Sequence, residues 1–172
     1  LYAEPSASAF AADKPLAEPP GTRFHYSSGE TNVLMAIARA RSGRSPEAWA
    51  RFPREALFAP LGMTSAVFSQ DAGDWARFGL LLAQDGVWEG RQVLPPGWAS
   101  WMATPGPRSK GEYGGQVWLR GEGSPAPLMV LRGYGGQSVT VAPATDTVIV
   151  RTGWNIDETS FDEDAFADRV LA

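Results

Sequence analysis

Pro20-Gly21-Thr22-Arg23-Phe24-His25-Tyr26-Ser27-Ser28-Gly29-Glu30-Thr31-Asn32-Val33-Leu34 is the stretch on which the fold turns. It opens with a proline and a glycine, which favour a loop, and ends on an apolar pair. Ser27 followed three residues later by Glu30 has the spacing of a helix capping box. The predicted helix carries Val33, Leu34, Ile37 and Ala38 as an apolar stripe and stops at Gly43. Tyr26 therefore sits at a loop-to-helix junction, where side chains commonly face a cleft. Its hydroxyl could relay a proton if a nearby cation lowered its pKa. The competing reading has Tyr26 packing the helix entry while Ser27 caps it, and pattern alone favours that one.

Upstream, Pro5, Pro15, Pro19 and Pro20 forbid a long helix, so residues 1–23 read as an extended connector. Downstream, Ser45-Pro46 opens a second helix with Trp49 and Phe52, which kinks or restarts at Pro53. Asp74 to Leu82 is a further amphipathic helix, with Trp75, Phe78, Leu81 and Leu82 on its apolar side and Gly86 as its stop. A short helix around Trp98 and Trp101 follows Pro95-Pro96-Gly97.

The period changes near residue 113. Strands are expected over 116–119, 128–131, 138–141 and 147–151, the last two joined by the turn 143–146 as a hairpin. A terminal helix over 161–171 starts at a second capping-box spacing, Ser160 and Glu163. Helices, then antiparallel strands, then a last helix imply an α+β fold whose sheet is covered on one face by that helix. The expected parts are 1–23 (connector), 24–112 (helical region with the tyrosine) and 113–172 (strands and last helix), all within one domain.

Arg132-Gly133-Tyr134-Gly135-Gly136-Gln137 leads into the 138–141 strand. Three glycines in four residues let another group approach the backbone closely. Free N–H groups there could polarise an acyl carbonyl. A bulge or tight turn is the plainer reading. Tyr113-Gly114-Gly115-Gln116 is nearly the same tetrapeptide, which shows how easily it arises.

Composition removes several classes. The net charge is -4, and Lys14 and Lys110 are the only lysines, so nucleic-acid binding is disfavoured. No apolar run is long enough to cross a bilayer. There is no cysteine and His25 is the only histidine, which rules out disulfides, thiolate metal sites and multi-histidine metal sites. The acidic residues Asp157, Glu158, Asp162, Glu163 and Asp164 suit a helix N-terminus and lack a calcium-loop pattern. Neither a cofactor nor a metal is implied. Trp118 and Trp154, each beside an expected strand, are candidates for lining a cleft.

Taken together, four blocks resemble the serine β-lactamase/penicillin-binding-protein superfamily, in particular its class C-like members and the branch of 6-aminohexanoate-dimer hydrolase. They are the opening stretch, Leu57-Phe58-Ala59-Pro60-Leu61-Gly62-Met63, Asp74-Trp75-Ala76-Arg77-Phe78-Gly79, and Arg132 to Gln137 followed by Val139, Val141 and Pro143. They occur in family order over roughly residues 20–155. The resemblance implies that Tyr26 acts with a lysine to move a proton between nucleophile and leaving group. It places the backbone N–H of Gln137 in the oxyanion hole, and Ser28, Arg132, Tyr134, Gly135 and Gly136 along the substrate. Ser28 stands where many β-lactamases have asparagine. Tyr134-Gly135-Gly136 stands at the Lys-Thr-Gly place, so the groups that would hold a β-lactam carboxylate are lost. Both departures point to a small-molecule ester or amide as substrate rather than a β-lactam.

The family's nucleophile lies in Ser-x-x-Lys. No serine among the 172 residues has a lysine three places on, and there is no Gly-x-Ser-x-Gly. The resemblance implies that the first helix, the first strands and the Ser-x-x-Lys helix precede Leu1, and that relatives carry more residues between Gly73 and Asp74. The chain alone is thus expected to be inactive. Two alternatives remain: a catalytically dead binding or regulatory module on the same fold, and a D-Ala-D-Ala peptidase. The compartment is not legible in these residues, with bacterial cytoplasm and periplasm both open. Oligomeric state is not legible in these residues.

Overall fold

Helix entry and exit follow the local chemistry closely. The computed structural model describes residues 6–64, 72–121, 127–155 and 161–172. Helix α2 spans Ser28–Ser42; Ser27 is its N-cap, accepting from the Gly29 N–H at 3.2 Å, and Gly43 ends it in the left-handed region at φ 61°. Ser27 thus caps as expected, although its partner is Gly29 rather than Glu30. Helix α3, Pro46–Pro53, has Ser45 as its cap on the Ala48 N–H, and beyond Pro53 the chain runs on as a π-helical turn, Arg54–Phe58. The expected connector contains a six-residue helix, α1 (Ala7–Ala12), that fits between Pro5 and Pro15 and is capped by Ser6. A Cβ on Gly29 would lie 3.1 Å from the Ala11 Cβ, so α1 and α2 cross at a small-residue contact.

Helix α4, Ala72–Ala83, buries Leu81 and Leu82 completely. After it comes an unanticipated hairpin, β1 (Val87–Trp88) and β2 (Arg91–Gln92). Its loop residues Glu89 and Gly90 both have positive φ, 48° and 74°, as a type I′ turn requires. Helix α5, Trp98–Met102, has no capping side chain of its own; the Asp85 carboxylate accepts from the N–H groups of Gly97 and Ala99.

The main sheet is antiparallel, in the order β3 (Trp118–Arg120), β4 (Leu128–Arg132), β5 (Ser138–Ala142), β6 (Thr147–Arg151). The first strand starts two residues later than expected, because Gln116 turns with φ 66°. Register sets the faces. Leu131, Val139 and Val150 are paired neighbours, as are Arg132, Ser138 and Arg151 one residue over. The first face packs on α4, where Leu82, Met129, Val139 and Val141 join the core. Gly79 permits this approach: a Cβ there would lie 2.5 Å from Val148 Cγ1. A second cluster, Leu61, Met63 and Leu81, joins the helical region to the other side of α4.

Helix α6, Glu163–Leu171, lies along the opposite face, tied to Arg120 and Arg132 by Asp164, with Asp168 and Glu163 completing the ladder. The last helix does cover one face; α4 covers the other. The N-cap of α6 is Asp162, accepting from the Ala165 N–H at 2.9 Å, in place of the expected Ser160–Glu163 box. Ser160 lies outside the described residues. No helix among the described residues is long and apolar enough to cross a membrane.

Candidate active site

Tyr26 precedes α2 and leans on the sheet through aromatic contacts. Its ring meets Trp118 at 5.4 Å between centroids and Tyr113 edge-on at 5.7 Å. Phe24 stacks on Tyr113 at 4.7 Å, and its N–H donates to the Pro107 carbonyl. Thr31 on α2 donates to the Gln116 side chain at 2.8 Å. These contacts seat the start of α2 against the first strand while leaving Tyr26 56% exposed. Tyr113 is buried, and burial, with smaller contributions from Tyr26 and Glu30, pushes its phenol pKa upward.

A cleft of about 1100 Å³ opens beside Tyr26. It brings together Tyr26, Ser28 and Trp118 with Arg132, the run from Gly133 to Gln137, and the start of α6. All seven residues expected to act in catalysis or to border the substrate line it, as does Trp118. Trp154 lines a second, adjoining cleft of about 370 Å³ with Trp75, Leu131, Val139 and Val150. The glycine run separates the two.

That run is a tight turn, Tyr134–Gly136, broken by Gly135 in the left-handed region (φ 74°, ψ 21°) and by Gly136 at φ 79°. Side chains are disfavoured there for conformation and for space. A Cβ on Gly135 would lie 2.8 Å from the Trp154 ring, and one on Gly136 would lie 2.6 Å from Arg151 Nη1. Tyr134 is 87% exposed and meets Trp154 edge-on at 5.5 Å. Gln137 anchors the end of the turn: its carbonyl accepts from the Gly133 N–H, and its side chain donates to the Gly153 carbonyl.

Arg132 is engaged by Asp164 at 2.9 Å and by Glu163 at 3.8 Å, which makes it part of the α6 ladder as well as of the cleft wall. The sequence reading missed Arg151, Asn155 and Phe161, which also line the cleft. It noted Asp162, Glu163 and Asp164 only as helix-start charge; all three face the same cleft. Glu163 Oε1 is buried with no hydrogen-bond partner among the described residues. Among those residues no group of three potential ligands is placed to hold a metal ion.

The family model described as Beta-lactamase matches residues 2–77. Among solved structures, the chain is similar to a "putative 6-aminohexanoate-dimer hydrolase" from Bacillus anthracis, with 22% identity and a TM-score of 0.74 over 96% of this chain and 47% of that one. It is also similar to a "putative beta-lactamase" from Bacteroides dorei DSM 17855, with 20% identity and a TM-score of 0.68 over 96% of this chain and 62% of that one. No curated protein matches. The likeness to these two structures shows a β-lactamase-like fold. The chain spans 47% to 62% of the length of those two structures.

Proposed function

We propose that this chain is the C-terminal portion of a serine hydrolase that cleaves a small ester or amide through an acyl-enzyme. The observation that supports this most is the shared cleft: a tyrosine at the start of α2 and a glycine turn more than a hundred residues later line one cavity. Acyl transfer needs a proton relay and an oxyanion site within reach of one carbonyl. In this reading a serine on a segment outside these 172 residues attacks, and Tyr26, with a lysine, carries the proton to the leaving group. Amides of the 133–137 turn hold the oxygen. Gln137 is the donor expected from the resemblance. Ser28, Trp118 and Tyr134 border the substrate.

Two departures support an ester or amide over a β-lactam: Ser28 replaces an amide side chain, and the turn has no lysine. Arg132 does not supply the lost cation freely, because Asp164 and Glu163 engage it. The test is active-site labelling of the whole protein that carries this chain, using a fluorophosphonate. We expect one covalent adduct on a serine that is followed three residues later by lysine. No adduct, with no Ser-x-x-Lys anywhere in the complete coding sequence, would replace this reading with that of a binding module.

A further inference from the structure

The Tyr134–Gly136 turn has little of its own to anchor it: two of its three residues are glycines at positive φ, and the third, 87% exposed, has an edge-on contact with Trp154. Its position must be imposed from outside. The end of β6 and the segment that follows it do this. The Asn155 N–H donates to the Gly135 carbonyl at 2.8 Å, and Arg151 Nη1 donates to the Gly136 carbonyl. The guanidinium is itself fixed on three sides. Nη2 donates to Asn155 Oδ1 at 2.6 Å, and the Phe161 ring lies 4.5 Å beneath it. The third side is a slot that only glycines leave open. A Cβ on Gly136 would fall 2.6 Å from Nη1, and one on Gly153 would fall 2.9 Å from Nη2.

We infer that Arg151 is a positioning residue that clamps the glycine turn and holds its amides on the substrate carbonyl. The inference rests on the reading of the turn as the oxyanion site. A peptide unit is planar, so holding the Gly136 carbonyl also fixes the Gln137 N–H of the same unit. The carbonyl accepts from a cation, which polarises that unit and strengthens its N–H as a donor. With Gly136 held, the neighbouring amides of the turn lose freedom too. Oxyanion stabilisation depends on donors that need no rearrangement during reaction, so this clamp acts on kcat rather than on substrate affinity.

The test uses the whole protein, with Arg151→Gln, Arg151→Lys and Asn155→Ala. Ester turnover is followed together with the Gly136 carbonyl ¹³C signal. Arg151→Gln should lower kcat about ten-fold with KM held within about two-fold, less than losing an oxyanion donor outright. Arg151→Lys keeps one cationic donor but not the fork, and should recover part of that loss. Asn155→Ala frees the guanidinium without altering the turn's own sequence, and should cost roughly three-fold; it carries the test if Arg151→Gln fails to fold. The Gly136 signal should move in Arg151→Gln, and the pH profile should not. An unmoved Gly136 signal, an unchanged kcat, or a raised KM at constant kcat would overturn the clamp. If the signal moves but Tyr26→Phe leaves turnover intact, the acyl-transfer reading falls, and the catalytic role of the clamp falls with it.

Discussion

Helices α2 and α4 are alike in length and unlike in use. The first buries none of its residues, and Leu34 and Ile37 on its apolar stripe stay about half exposed. The second buries Leu81 and Leu82 fully and lets β6 come within a glycine's reach at Gly79. Periodicity reads both as amphipathic. It says which face is apolar, and not what covers that face. The family model's match covers α2 and ends at residue 77, inside α4 and before the whole sheet. The part that the family model matches and the part that supplies the main-sheet core are therefore largely different.

The contrast should break first in the core. Leu81→Ala should cost about 2–5 kcal/mol of stability, and Leu34→Ala on α2 within about 0.5 kcal/mol, both read from urea unfolding. Equal losses would mean that α2 is as deeply packed as α4. Gly79→Ala should cost about 1–3 kcal/mol, since the added methyl meets the branched Val148 side chain across the helix–sheet contact. No loss would show that α4 can shift on the sheet.

The ladder that fixes α6 is worth less. Its pairs are partly exposed, so Asp164→Asn should cost no more than about 1 kcal/mol, and the cost should shrink in molar salt. A larger, salt-independent loss would assign Asp164 a packing role. The smallest expected effect is alkaline. Tyr113 has a raised pKa in the fold, so its contribution to stability is intact below its unfolded value near 10 and is lost as pH rises through the folded one. Tyr113→Phe should flatten that part of the stability curve, and a curve identical to the parent's would remove Tyr113 from the account.

Local chemistry made much of the fold legible. Ser27, Ser45 and Gly43 mark helix ends in the sequence and in the structure. The β1–β2 hairpin was not legible, because its strands are two residues long and its loop is Glu89-Gly90, outside the Asn-Gly and Asp-Gly signals. The start of α6 moved because a carboxylate at Asp162 reaches the Ala165 amide, making a cap one residue before Glu163. At the site, Tyr26 and the glycine turn announce themselves by composition. Arg151 has no such signal. It meets the turn because β5 and β6 pair in a register that sets it opposite Ser138, and strand register across a hairpin is a tertiary fact.

The most direct measurement is steady-state hydrolysis of an aryl ester by the whole protein and by its Tyr26→Phe variant. Loss of the phenol removes the proton relay and leaves the ring against Trp118 and Tyr113, so kcat should fall by about 10²- to 10⁴-fold with an unchanged melting temperature. Turnover in Tyr26→Phe equal to that of the parent would contradict the assignment of this cleft as an acyl-transfer site.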